Sequence, residues 1–247
     1  MDYSVYRLSK KENICYILQG LLIIIFFGIL FYRSIFGILF LMPFLYFYRK
    51  YQIKNQLKKR KWKLNLEFKD GIQAISAALE AGYCAENAFE EAYKDLKQIY
   101  TEDAMIQKEL SYIVNQLRMN ITVENALSDF ADRSDLEDIK SFAEVFSTAK
   151  RTGGDLINII RVTSSMISEK IEVNREIITL ISAKRLEANI MKVMPLFILI
   201  YLSISSPGFL EPLYHNLLGI ITMSVFLLCY LGAYLIIDKI IDNCETI

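Results

Sequence analysis

The sequence predicts an all-α integral membrane protein with four transmembrane helices and a six-helix antiparallel bundle outside the bilayer. Three observations carry this: apolar residues gathered toward the two ends, one dense basic cluster, and a middle with helical periodicity and no strand signal. Of 247 residues, 53% are hydrophobic, high for a soluble chain, and the excess sits at residues 14–48 and 190–237. Residues 49–63 carry Arg49, Lys50, Lys54, Lys58, Lys59, Arg60, Lys61 and Lys63 and no acid. Residues 64–189 hold 22 Asp and Glu against 14 Lys and Arg, so basic neck and acidic body cancel to a net charge of zero.

Residues 1–13 are short and polar. Residues 14–32 are almost unbroken apolar sequence, long enough to cross a bilayer. They lack a small-x-small cleavage site and run on into further apolar sequence, which argues against a signal peptide. One helix over 14–48 would be roughly 50 Å long, too long for a hydrocarbon core of about 30 Å. A hairpin broken at Arg33-Ser34 fits better, its second arm ending in Tyr46, Phe47, Tyr48 and Tyr51 as an interfacial belt. The basic neck then lies in the cytoplasm by the positive-inside rule, and residues 1–13 with it. There the neck can hold anionic lipid headgroups.

Residues 64–189 are therefore read as a cytoplasmic domain. Phe68, Ile72, Ile75 and Leu79 mark an amphipathic helix ending at Ala81-Gly82. Helices over about 84–98, 102–119, 122–132 and 134–150 follow, joined by tight corners that suit an antiparallel bundle. Thr122 is placed to cap the fourth, with Glu124 in its first turn where the helix dipole favours a negative charge. The sequence also repeats itself: Leu79-Glu-Ala-Gly-Tyr-Cys-Ala-Glu-Asn-Ala-Phe aligns without gaps on Leu117-Arg-Met-Asn-Ile-Thr-Val-Glu-Asn-Ala-Leu. Each copy ends a helix at a residue tolerant of positive φ, Gly82 or Asn120, and opens the next with Glu-Asn-Ala. Either the half-domain is duplicated or two helical corners merely look alike.

Gly153-Gly154 supply a third corner, and Asp155 is placed to cap a sixth helix of roughly 54 Å over residues 155–190. Its stripe of Leu156, Ile160, Ile167, Ile171, Ile178 and Ile181 stays on one face, with Thr163 and Asn174 filling the same positions. Residues 190–206, containing Pro195, form a third short span. Residues 207–216 form an outside loop without Lys or Arg, 217–237 a fourth span, and 238–247 a cytoplasmic tail.

Catalytic signatures are absent: no GxxxxGK[ST], HExxH or GxSxG occurs. The single histidine, His215, falls in the outside loop, which leaves a histidine-kinase reading without a phosphoacceptor. Cys15, Cys84, Cys229 and Cys244 share no metal-ligand spacing, and the terminal Cys-Glu-Thr-Ile lacks the aliphatic pair of a prenylation box. Asp238 and Asp242 share a helical face, the nearest approach to an intramembrane aspartyl peptidase, but without a GxGD context. Neither enzyme, metal nor cofactor is expected, nor is a nucleic-acid partner.

Three stretches carry a family resemblance: LEAGYCAENAFEEA, then VENALSDFADRSDLEDIKSFAEVFSTAKRTGGDLINII, then SSPGFLEPLYHNLLG. Over roughly residues 65–237 the chain resembles the type II secretion system F domain, and within it the tight-adherence pilus platform proteins TadB and TadC. It departs from the usual TadB layout in its short N-terminal region and its single F domain. The resemblance implies an oligomeric inner-membrane platform, built from one chain or with a second platform protein, that works with a cytoplasmic hexameric ATPase to extract pilin subunits. The acidic residues Glu80, Glu86, Glu90, Glu91 and Asp95 around the first corner are the expected docking surface for a basic collar of that ATPase. The alternatives are a solvated face, or a membrane-tethered scaffold for some other complex.

Overall fold

The computed structural model describes residues 3, 10–33, 39, 41–152, 155–206, 208, 213–214 and 216–244. Among them the chain is helical throughout: α1 (Lys10–Tyr32), α2 (Phe44–Glu80), α3 (Ala85–Ile99), α4 (Met105–Arg118), α5 (Val123–Ser134), α6 (Glu137–Thr152), α7 (Leu156–Ser205) and α8 (Leu217–Cys244). The helices divide into two units. One holds Tyr3 with Lys54–Val173, and the other the described residues of Leu8–Ile53 and Asn174–Ile247.

The first unit has one core drawn from six helices. Phe68, Ile72, Ile75 and Leu79 of α2 meet Phe89 and Leu96 of α3, Ile106 and Ile113 of α4, Leu127 and Phe130 of α5, Phe142 and Phe146 of α6, and Ile160, Ile167 and Ile171 of α7. At its centre Phe68 lies edge-on to Phe130 and Phe142, with ring centroids 6.0 and 5.7 Å apart, the geometry aromatic quadrupoles favour. Three buried carboxylates thread this core. Glu67 accepts the Ile106 amide at 3.0 Å, capping α4 from another helix where Ala104 offers no side-chain cap. Asp138 accepts Asn65 at 2.8 Å and Lys170 at 2.7 Å. Glu109 is bound by Arg133, Nη2 to Oε2 at 2.7 Å.

The corners follow from local chemistry. Gly82 has φ +93° and Asn120 φ +62°, the left-handed region that closes a helix. The Thr122 hydroxyl accepts the Asn125 amide at 3.4 Å, and the Asp155 carboxylate the Asn158 amide at 3.1 Å, so both cap the helices they precede. Gly153 and Gly154 lie outside the described residues. One boundary moves: Ser134 finishes α5 instead of starting the next helix. Its buried hydroxyl donates to the Ala131 carbonyl at 2.9 Å, and the turn falls on Asp135, at φ +51°, a conformation Asp tolerates.

Two helices run through segment boundaries expected from the sequence. The basic neck is part of the 37-residue α2. The sixth bundle helix and the third span are one 50-residue helix, α7, with Pro195 inside it.

In the second unit α1 packs on α8. Phe31, Met223 and Leu227 are buried together, the Tyr32 and Ser224 hydroxyls are 2.9 Å apart, and Tyr214 donates to the Leu30 carbonyl at 2.9 Å. Among the described residues three helices, not the expected four, are long and apolar enough to cross a membrane: Lys11–Tyr32, Leu156–Ser205 and Leu218–Ile241. Of the second expected span, 35–48, residues 35–38 and 40 lie outside the described residues. Its described end joins α2, whose charged continuation removes any long apolar window. Leu18, Leu22, Phe197, Ile198, Leu218 and Phe226 turn their side chains outward, as lipid-facing residues do.

Deleting the Phe142 ring should cost about 3–5 kcal/mol. Trp62, the only tryptophan, packs against this core and reports its unfolding in detergent. Phe142→Ala should lower the fluorescence midpoint far more than Glu144→Ala, an exposed position on the same helix. Equal shifts would contradict the core assignment.

Candidate interaction surface

The acidic surface expected around the first corner is built by the end of α2 and by α3. Burial of Ala88, Phe89, Ala92 and Leu96 turns the intervening acids outward at helical spacing. The structure gives three of them internal cations. Glu86 lies 3.4 Å from Lys150, Glu90 2.9 Å from Arg118 and Glu91 3.1 Å from Lys94. Glu80 and Asp95 are exposed, and neither has an ion pair among the described residues. Arg118 and Lys150 are distant in sequence from the acids they neutralise, so no local pattern announced them.

The two repeated corners converge on one side chain. Glu86 and Glu124 occupy equivalent positions of the repeat, and Lys150 binds both, Glu124 at 3.1 Å. Their neighbours match too: Ala88 and Ala126 are fully buried, while Tyr83 and Ile121 both stay exposed. Met119 beside them is 75% exposed. Burial works to lower the Lys150 ammonium, but the hydrogen bond and charge of Glu124, then those of Glu86, raise it. The Glu86 carboxyl is held below its ordinary range by its own backbone amide, against some burial, with help from Lys150. Glu86's contribution is therefore complete above the ordinary carboxylate range and fades as pH falls through its lowered value. That of Lys150 fades as pH rises through its raised value.

The basic neck divides into two groups. Arg49, Lys50, Lys54, Lys58, Lys59 and Lys63 are exposed. Arg60 lies over the Tyr3 ring at 4.9 Å, and Lys61 bonds the Asp135 carboxylate at 2.6 Å. These last two are engaged within the helical unit, as is Lys63, 3.8 Å from Glu67.

Two polar clusters had no sequence signal beyond their residue types. One surrounds Tyr3, whose hydroxyl donates to Glu109 at 2.8 Å. The other is Lys192 of α7, only 7% exposed and paired with Asp238 of α8. Its Nζ sits 4.4 Å from the Tyr234 ring centroid, and its carbonyl accepts the Tyr230 hydroxyl at 2.9 Å. Asp238 thus has a cation partner. The side chain of Asp242, with His215 and most of the 207–216 loop, lies outside the described residues. No group of three or more His, Cys, Asp or Glu side chains among the described residues could hold a metal ion.

The chain matches the family described as type II secretion system (T2SS), protein F, over residues 67–204. No curated protein and no solved structure matches it.

The Lys192–Asp238 pair generates a prediction. In apolar surroundings, removing one partner strands the other and costs about 3–5 kcal/mol, whereas removing both is much milder. Lys192→Met and Asp238→Ala should each lower the thermal midpoint of the detergent-solubilised chain, and the double variant should recover most of the loss. Additive losses would show that the pair is not coupled.

Proposed function

Because the chain belongs to the type II secretion system protein F family, we propose that it is an inner-membrane platform protein of a tight-adherence, TadB/TadC-like pilus or related secretion machine. It couples a cytoplasmic hexameric ATPase to pilin extraction and performs no chemistry of its own. The observation that carries this reading is the extent of the match. Residues 67–204 take in most of the six-helix core and nearly all of α7, one of the three helices able to span a membrane.

In this reading residues 64–189 are cytoplasmic and present Glu80, Glu86, Glu90, Glu91 and Asp95 to a basic surface of the ATPase. Complementary fields would guide association and fix register more than they add affinity. Glu80 and Asp95 contribute most, because the charges of the other three are balanced within the unit. Displacement received there passes along α7, which has no break between Leu156 and Ser205. The exposed bases of the neck hold anionic headgroups. The platform is completed by further copies or a second platform protein.

Tyr3 bears on the topology. It is buried in the same unit as Lys54–Val173, so the two share one side of the membrane. A chain that leaves that side through α1 has to return to it before Lys54. Both ends of the chain are then cytoplasmic.

Two outcomes test this. In a variant lacking Cys15, Cys84, Cys229 and Cys244, a cysteine at Glu211 should react with an impermeant reagent from outside, and one at Lys59 should not. Labelling of the Lys59 position from outside would overturn the cytoplasmic placement. Glu80→Lys with Asp95→Lys should weaken ATPase co-purification while leaving the unfolding free energy within about 0.5 kcal/mol of the parent, as surface changes do. The parent interaction should weaken as salt rises. Undiminished binding by the double variant at low and moderate salt would remove this surface from the mechanism.

A further inference from the structure

Tyr3 belongs to none of the six helices that form the core it enters. Six residues separate it from the start of α1 at Lys10, yet its side chain is fully buried. Three kinds of contact hold it. Its backbone amide donates to the Arg133 carbonyl at 2.9 Å, its hydroxyl donates to Glu109 Oε1 at 2.8 Å, and the Arg60 guanidinium lies 4.9 Å from its ring centroid. The receiving groups are organised by bonds of their own. Arg133 grips Glu109, with Nη1 3.0 Å from Oε1, and Asp129 accepts Arg133 Nε at 2.9 Å. A site with a main-chain acceptor, a carboxylate at phenol depth and a cation over the ring reads one residue of an extended peptide by backbone, ring and hydroxyl together.

We propose that the helical unit carries a tyrosine-recognition slot between α2, α4 and α5, filled by the chain's own Tyr3, and that it accepts a tyrosyl peptide from solution when Tyr3 is removed. The hydroxyl sets the specificity. Glu109 is almost wholly buried, so a ring without a hydroxyl costs the carboxylate a donor that water cannot readily replace. Burial, followed by the Glu109 charge, pushes the Tyr3 phenol well above its ordinary range, so it stays protonated and able to donate. Cation–π attraction from Arg60 is common to Tyr and Phe and does not discriminate between them.

The test uses the full chain in detergent and an acetylated, fluorescent peptide of the sequence Met-Asp-Tyr-Ser-Val. The Tyr3→Ala protein should bind it saturably, and the parent should not at the same concentration, because its slot is filled. The same peptide with Phe for Tyr should bind Tyr3→Ala roughly tenfold or more weakly. Equal binding by parent and Tyr3→Ala, or no binding by a folded Tyr3→Ala protein, overturns the proposal. So does equal affinity for the Tyr and Phe peptides. If Tyr3→Ala does not fold, Tyr3→Phe carries the test: its weaker occupant should yield to the Tyr peptide where the parent's does not, and resistance equal to the parent's overturns the slot.

Discussion

The helical unit depends first on the edge-on contact of Phe68 with Phe130 and Phe142. It locks the face of α2 against α5 and α6, and the rest of α2 follows from helical register. One turn back, Leu64 enters the same core, and Asn65 reaches Asp138. Glu67, adjacent to Phe68, turns to the Ile106 amide and caps α4. Two turns back, Arg60 and Lys61 meet Tyr3 and Asp135. Part of the basic neck is therefore occupied with folding, while Arg49, Lys50, Lys54 and Lys59 are exposed.

Charge in this unit is settled mainly between helices distant in sequence. Composition gives an acidic body, but the fold brings Arg118 to Glu90 and Lys150 to both Glu86 and Glu124. Those surface pairs add little stability individually. Their larger effect is to redraw the outward field, because neutralised carboxylates attract a basic partner less than Glu80 and Asp95 do. The buried carboxylates behave differently. Glu67, Glu109 and Asp138 lie in the core, where a polar group without a partner is costly, so each fixes the helices that supply its donors.

What the sequence made legible was governed by locality. Helical periodicity and capping residues placed α3 to α6 within a few residues, because those signals are read within one turn. Glu-Asn-Ala at both repeated corners marked helix starts, and the meeting of Glu86 and Glu124 at Lys150 gives the repeat a structural counterpart. The turn at Asp135 escaped notice because Ser134 is as good an N-cap as a helix end, and only its buried bond to Ala131 decides between them. The continuity of α2 was hidden by composition: a basic run looks like a connector, yet Lys and Arg are good helix formers. Glu109, which accepts from Tyr3, and Asp238, which pairs with Lys192, lie over a hundred and over forty residues away. No local pattern encodes contacts at that range, and a polar terminal stretch gave no reason to place a tyrosine in the core.

In the proposed function the face bearing Glu80 and Asp95 meets a hexameric motor in the cytoplasm. Photo-crosslinking in cells from an unnatural amino acid at each position tests it most directly. Adducts with a P-loop ATPase are expected from position 80 or 95, and none from a probe at Lys140, an exposed residue on α6. Adducts confined to extracytoplasmic proteins, or ATPase adducts equally strong from all three positions, would contradict it.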